Sequence, residues 1–171
     1  MRDVEALKEN PPLTAALAIL VLAGATVGGA WIFQTFGYAP CELCLKERIP
    51  YYVGIVVAAL AIVFVLAGRR ASTRAALVGL CLIFLISAAF GAYHAGVEWG
   101  FWPGPTECTG SFQRANSTAE FLKQLQNVKV VRCDEVALRI LGLSLAGWNA
   151  VISLALVAWA IFGLSPKRSA G

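Results

Sequence analysis

The stretch Leu13–Phe33, LTAALAILVLAGATVGGAWIF, runs for 21 residues without a charge. A helix rises about 1.5 Å per residue, so such a run covers the roughly 30 Å hydrocarbon core of a bilayer. Three further apolar runs follow, at residues 51–67, 75–93 and 140–164. The chain is 171 residues long, 58% hydrophobic and only 14% charged, which is more apolar surface than one water-soluble core of that size hides. These features predict an all-α membrane protein, a single domain over 1–171 built as a four-transmembrane-helix bundle. Residues 1–12 carry Arg2 and Lys8 against Asp3, Glu5 and Glu9, unlike the positive start of a cleaved signal, so the first run is read as a retained span. Within it, Gly24 and Gly28 form a G-x-x-x-G suited to close helix packing.

Orientation is read from the basic residues. The two tails and the 68–74 turn hold Arg2, Lys8, Arg69, Arg70, Arg74, Lys167 and Arg168, while the first loop, 34–50, holds only Lys46 and Arg48. The positive-inside rule then predicts cytoplasmic N- and C-termini, with the loops 34–50 and 94–139 on the outer face. Trp31, Phe33, Phe36, Tyr38, Tyr51, Tyr52, Tyr93, Trp99, Phe101 and Trp102 gather on that outer side, as interfacial rings do, and their one-sidedness points to a site there. The net charge of +4 is scattered, and it predicts no nucleic-acid partner.

On this topology Cys41, Cys44, Cys108 and Cys133 face one compartment, and Cys81 alone lies within a span. Outside the cytoplasm the commonest use of cysteine is an inert disulfide, and that reading is open for Cys108 and Cys133. It is weaker for Cys41-Glu42-Leu43-Cys44, because bridging so short a loop restricts little of the unfolded chain, whereas C-x-x-C spacing suits thiols tuned for exchange. A four-thiolate zinc site usually has two close pairs; here 24 residues separate the members of the second pair, and no metal is expected. Cys81 is expected to be inert in its apolar setting.

The run Cys41-Glu42-Leu43-Cys44-Leu45-Lys46-Glu47-Arg48, the segment Tyr93-His94-Ala95-Gly96-Val97-Glu98-Trp99-Gly100 with Trp102, Gly104-Pro105 and Cys108, and a lone Cys133 before the last span resemble the DsbB family of bacterial quinone-dependent thiol oxidoreductases. The resemblance covers all four spans. It implies a multi-pass protein of the bacterial inner membrane with its cysteine loops in the periplasm. It implies that Cys108 and Cys133 form a disulfide, attacked by the reduced C-x-x-C of a DsbA-like thioredoxin-fold periplasmic protein. Cys133, released as a thiolate, would attack Cys41 and expel Cys44. Cys44 would then donate to a quinone cofactor, ubiquinone or menaquinone.

Arg48 lies four residues after Cys44, one turn away on a helix, where its permanent charge can stabilise the Cys44 thiolate and a reduced quinone. His94 is the chain's one histidine; the resemblance implies a place near the quinone, where an imidazole could donate a hydrogen bond or pass a proton. Glu47 is expected to face water, Glu98 to anchor a loop, Asn149 to bond a neighbouring helix, and Pro50 either to open the second span or to kink it. Ser117-Thr118-Ala119-Glu120 reads as a capping box ahead of Phe121, Leu122 and Leu125, which predicts a short interfacial helix in the long periplasmic loop. Two other readings compete. A vitamin K epoxide reductase-like protein carries its C-x-x-C near the final span rather than after the first, and a disulfide-stapled scaffold leaves Arg48 and the C-x-x-C without a purpose.

Overall fold

Along each apolar run small or slim residues recur every third or fourth position, and these decide how the helices meet. The computed structural model describes residues 10–105, 117–118 and 132–165. Its four long helices are α1 (Pro11–Thr35), α2 (Glu42–Leu66), α3 (Arg70–Glu98) and α4 (Leu145–Leu164), each long and apolar enough to cross a membrane. The protein is a multi-pass membrane protein with a four-helix bundle. Consecutive helices pack side by side, α4 closes the ring against α1, and the α3–α4 contact is the most extensive.

The buried stripes are Ala15, Ile19 and Ala23 on α1, Tyr51, Ala58 and Ala61 on α2, Leu77, Leu80 and Phe84 on α3, and Leu156, Val157 and Ala160 on α4. Outward positions such as Val21, Val56, Leu82, Ile86, Leu154 and Ile161 are large, apolar and exposed. In a bilayer they meet lipid, which is as apolar as they are, so packing between small residues supplies the adhesion. A Cβ on Gly54 would fall 2.5 Å from the Phe84 ring, one on Gly91 2.9 Å from the Ala150 backbone nitrogen, and one on Gly163 2.7 Å from Ala15 Cβ. Gly24 and Gly28, by contrast, meet nothing within 4 Å, so the G-x-x-x-G is not a packing seam of this bundle.

Helix ends differ from the sequence expectation in a way that bears on the site. α2 begins at Glu42, nine residues before the expected span, because Cys41 caps it: its Sγ accepts from the Cys44 backbone N–H at 3.3 Å. Pro50 therefore sits inside the helix. α3 also outruns its apolar core, from Arg70 to Glu98. α4 starts later than expected, at Leu145, after a two-residue hairpin pairing Arg139–Ile140 (β1) with Leu143–Ser144 (β2). Leu141 and Gly142 turn that hairpin with φ of 53° and 84°, a left-handed pair that no helix continues through. Ser144 then caps α4, its Oγ accepting from the Gly147 N–H at 3.2 Å, and the Trp148 indole N–H ties the hairpin down on the Ile140 carbonyl at 2.9 Å. Cys108 and the expected interfacial helix after Ser117-Thr118 lie outside the described residues.

Candidate active site

The first turn of α2 brings the chemistry together. Leu43, Glu47, Tyr51, Gly54, Ala58 and Ala61 are its buried face, one stripe at three- and four-residue spacing. Glu47 therefore points into the bundle, with 8% of its surface exposed, and the expectation that it faces water is corrected. Its exposed neighbours are Glu42 and Lys46, which pair with each other at 2.7 Å on the outer face.

Inside, Glu47 Oε1 lies 2.9 Å from His94 Nδ1, and His94 Nε2 lies 3.7 Å from Cys41 Sγ. His94, on α3, is 2% exposed. Two buried ionisable groups in contact are far cheaper than either alone, because each supplies the hydrogen bond and countercharge that water would have given. The carboxylate fixes the imidazole ring and leaves its other nitrogen for the sulfur. Glu98 lies close enough to act electrostatically on His94, and its Oε2 is buried without a hydrogen-bond partner.

Cys41 and Cys44 are free thiols with sulfurs 2.9 Å apart. Cys41 stands at a helix N-terminus, where N–H groups and the helix dipole favour negative charge. The hydrogen bond with Cys44, and after it the bond with His94, hold the Cys41 thiol well below the usual thiol range, against burial, which pushes it up. Cys133, disulfide-bonded and 2% exposed, packs into one small cluster with Cys41 and Leu43, flanked by Cys44 and Phe90. Thus of the four cysteines expected to act, three converge, and the fourth, Cys108, is outside the described residues.

Arg48 turns the other way. Its guanidinium donates to Gln34 Oε1 at 3.1 Å and to the Ala30 carbonyl at 3.4 Å, so it grips the last turn of α1, where a cation is favoured. It borders a cavity of about 510 Å³ between α1, α2 and α4, walled by Ala30 and Phe33 of α1, Tyr38 and Pro40 of the connection, Cys44, Glu47 and Tyr51 of α2, and Leu145, Trp148, Asn149 and Ile152 of α4. No residue of α3 is on that wall, so His94 lies behind it rather than in it. The wall is mostly apolar and aromatic with a few polar groups, as small-molecule cavities are. Asn149 Oδ1 accepts from the Tyr51 hydroxyl at 2.6 Å, which also contacts Ser153 at 3.0 Å, and Ser153 donates to Ser87 at 2.9 Å. This ladder braces α2, α3 and α4 below the cavity, as expected for Asn149.

Glu47 and Trp148 are the residues that sequence reasoning missed. Counting the buried stripe of α2 back from Ala61 through Ala58, Gly54 and Tyr51 reaches Glu47 and Leu43, so the signal for Glu47 was present once the helix is carried past Pro50. Among the described residues Cys41, Cys44 and His94 also place three ligand atoms within 4.8 Å of one another.

The chain matches the family described as "Disulfide bond formation protein DsbB" over residues 12–163. It is similar to Uncharacterized protein RP370 of Rickettsia prowazekii (strain Madrid E), with 24% identity over 144 residues that cover 82% of this chain and 81% of that protein. No solved structure matches it significantly.

Proposed function

The chain belongs to the DsbB family of disulfide-forming membrane proteins, and from that premise we propose that it is a thiol:quinone oxidoreductase. It takes electrons from a DsbA-like, thioredoxin-fold dithiol in the periplasm and passes them to quinone in the bacterial inner membrane, with both termini cytoplasmic. One observation carries this reading: the two thiols of a single C-x-x-C face different surroundings. Cys41 packs against Cys133, and Cys44 borders the apolar cavity.

The chemistry follows thiol–disulfide exchange. A thiolate of the partner attacks Cys108 of a Cys108–Cys133 disulfide, and Cys133 leaves as a thiolate. Cys133, already against Cys41, attacks the Cys41 sulfur of a Cys41–Cys44 disulfide and Cys44 departs as a thiolate at the cavity. The partner's second thiolate attacks the partner sulfur held on Cys108 and the partner leaves oxidised; the Cys108 thiolate then attacks Cys133 and releases Cys41, so the two protons of the partner dithiol come to rest on the reduced Cys41 and Cys44 pair. A quinone held at the cavity supplies an acceptor for two electrons and two protons. Arg48 would hold a quinone oxygen and its developing negative charge, Phe33, Tyr38, Tyr51 and Trp148 its ring, and Cys44 would meet it directly. The apolar wall excludes water that would otherwise solvate the Cys44 thiolate and slow its donation.

The test is oxidation of a reduced thioredoxin-like periplasmic protein by the purified chain, with ubiquinone-type and menaquinone-type acceptors in separate arms. Quinone consumed in step with dithiol lost supports the reading. Disulfides that stay closed, with no dependence on either quinone, replace it with a stapled scaffold.

A further inference from the structure

Both ring nitrogens of His94 are engaged, Nε2 toward Cys41 Sγ at 3.7 Å and Nδ1 toward Glu47 Oε1 at 2.9 Å. The ring is buried on a helix that contributes nothing to the cavity wall, whereas Glu47 belongs to both the pair and the wall. Cys41 Sγ, His94, the Glu47 carboxylate and the cavity thus stand in series. Closing Cys41 and Cys44 into a disulfide releases two protons. Cys44 borders the cavity, so its proton has a direct exit; Cys41 does not, and its buried thiol is turned to the imidazole.

Taking the quinone-reducing function as its premise, we propose that Glu47 and His94 are a proton path that removes the Cys41 proton and delivers it at the cavity. In the reduced pair the Cys41 proton is held on His94 Nε2, opposite the Cys41 thiolate; as the disulfide closes, the Nδ1 proton passes to Glu47 Oε1, leaving a neutral carboxylic acid on the cavity wall. The Cys41–Cys44 S–S bond forms, two electrons go to the quinone, and the protons of Cys41 and Cys44 complete the quinol, so two thiols and one quinone become one disulfide and one quinol. Glu47 rather than His94 is the group that meets the acceptor. The titratable and charged groups facing the pair are Cys41 at the cap of α2, Cys44 and Tyr51 on α2 and Glu98 on α3, with Arg139 of β1 acting on Glu98.

Glu47→Gln keeps the size and an oxygen acceptor for Nδ1 but cannot carry a proton. It also removes the negative charge that stabilises the His94 cation and, through it, the Cys41 thiolate. Two readouts test it. In reduced, quinone-free protein, the pH midpoint of peptide-resolved Cys41 alkylation, which lies well below the usual thiol range, is expected to rise by about one unit, so that alkylation at the wild-type midpoint slows about fivefold. With quinone, turnover falls about tenfold or more while KM for quinone stays within about twofold. Glu47→Asp restores part of both. If Glu47→Gln does not fold, His94→Gln breaks the same path one link earlier, with the same two shifts expected. An alkylation profile and turnover unchanged from wild type overturn the path while leaving quinone reduction standing. A wild type that consumes no quinone overturns the functional premise and the delivery step with it, whatever the alkylation shows.

Discussion

The two sides of one helical turn differ more than two ends of most proteins do. Toward α3, the first turn of α2 presents Cys41 to His94, Glu47 and the disulfide-bonded Cys133, all buried. Toward α1 and α4, the same turn presents Cys44, with Arg48 one turn further on, to a wide apolar cavity. The first side is close, polar and made of ionisable groups in contact; the second is open and aromatic. Helical geometry produces the difference, because residues three apart on a first turn point in neighbouring but distinct directions. A C-x-x-C at a helix N-terminus therefore offers its two sulfurs to two different surroundings.

The largest expected effect comes from removing either sulfur. Cys41→Ser and Cys44→Ser each abolish quinone-dependent dithiol oxidation, measured by quinone absorbance. If either variant still turns over, the two-sided account is broken. Next is Arg48→Met, which takes a charged donor from the cavity side alone: KM for quinone should rise about ten- to a hundredfold, while Cys41 alkylation without quinone stays within about twofold. An equal loss on both sides would mean that Arg48 supports the whole turn rather than the cavity.

A third test sharpens the comparison through pH. The lowered Cys41 pKa means that its reactive thiolate persists as pH falls below the ordinary thiol range and is lost only on passing through the shifted value. In reduced protein at mildly acidic pH, Cys41 should be alkylated on the order of tenfold faster than a free model thiol. A profile centred on the ordinary thiol range contradicts the described geometry. A fourth concerns the support behind His94. Gly91 lies one turn before it and against the α4 backbone, so Gly91→Val should cost about 1–3 kcal/mol of stability and slow Cys41, whereas Gly24→Ala, with open space around it, should stay within about 0.5 kcal/mol. Smallest is Asn149→Ala, which removes the Tyr51 hydrogen bond and should lower thermal stability by about 0.6–2 kcal/mol with little change in exchange at Cys41.

Much of this was legible before any coordinates, and for identifiable reasons. Charge-free runs mark helices because a bilayer admits little else, and Cys44 with Arg48 four residues on reads as one face of a turn. The charged segment Lys46-Glu47-Arg48 misled in one respect: it looks like loop, yet each charge has a different destination, outward to Glu42, inward to His94 and across to α1. A partner on another helix, such as His94 for Glu47, is set by how α2 and α3 pack, and no local pattern encodes that. The place of His94 behind the cavity wall is of the same kind. So is the start of α4, where a left-handed turn at Leu141 and Gly142 interrupts a run that hydropathy reads as continuous.

The central claim is that electrons arrive at Cys41 and leave from Cys44, and a trapped linkage tests it most directly. Purified wild-type protein with both disulfides closed and no quinone would be mixed with a reduced thioredoxin-like partner whose second C-x-x-C cysteine is serine, quenched with alkylating agent and mapped by mass spectrometry without reduction. The account predicts that Cys108 carries the partner, that Cys41 is recovered linked to Cys133, and that Cys44 is free and alkylated. Recovery of Cys44 linked to Cys133 with Cys41 alkylated would contradict it.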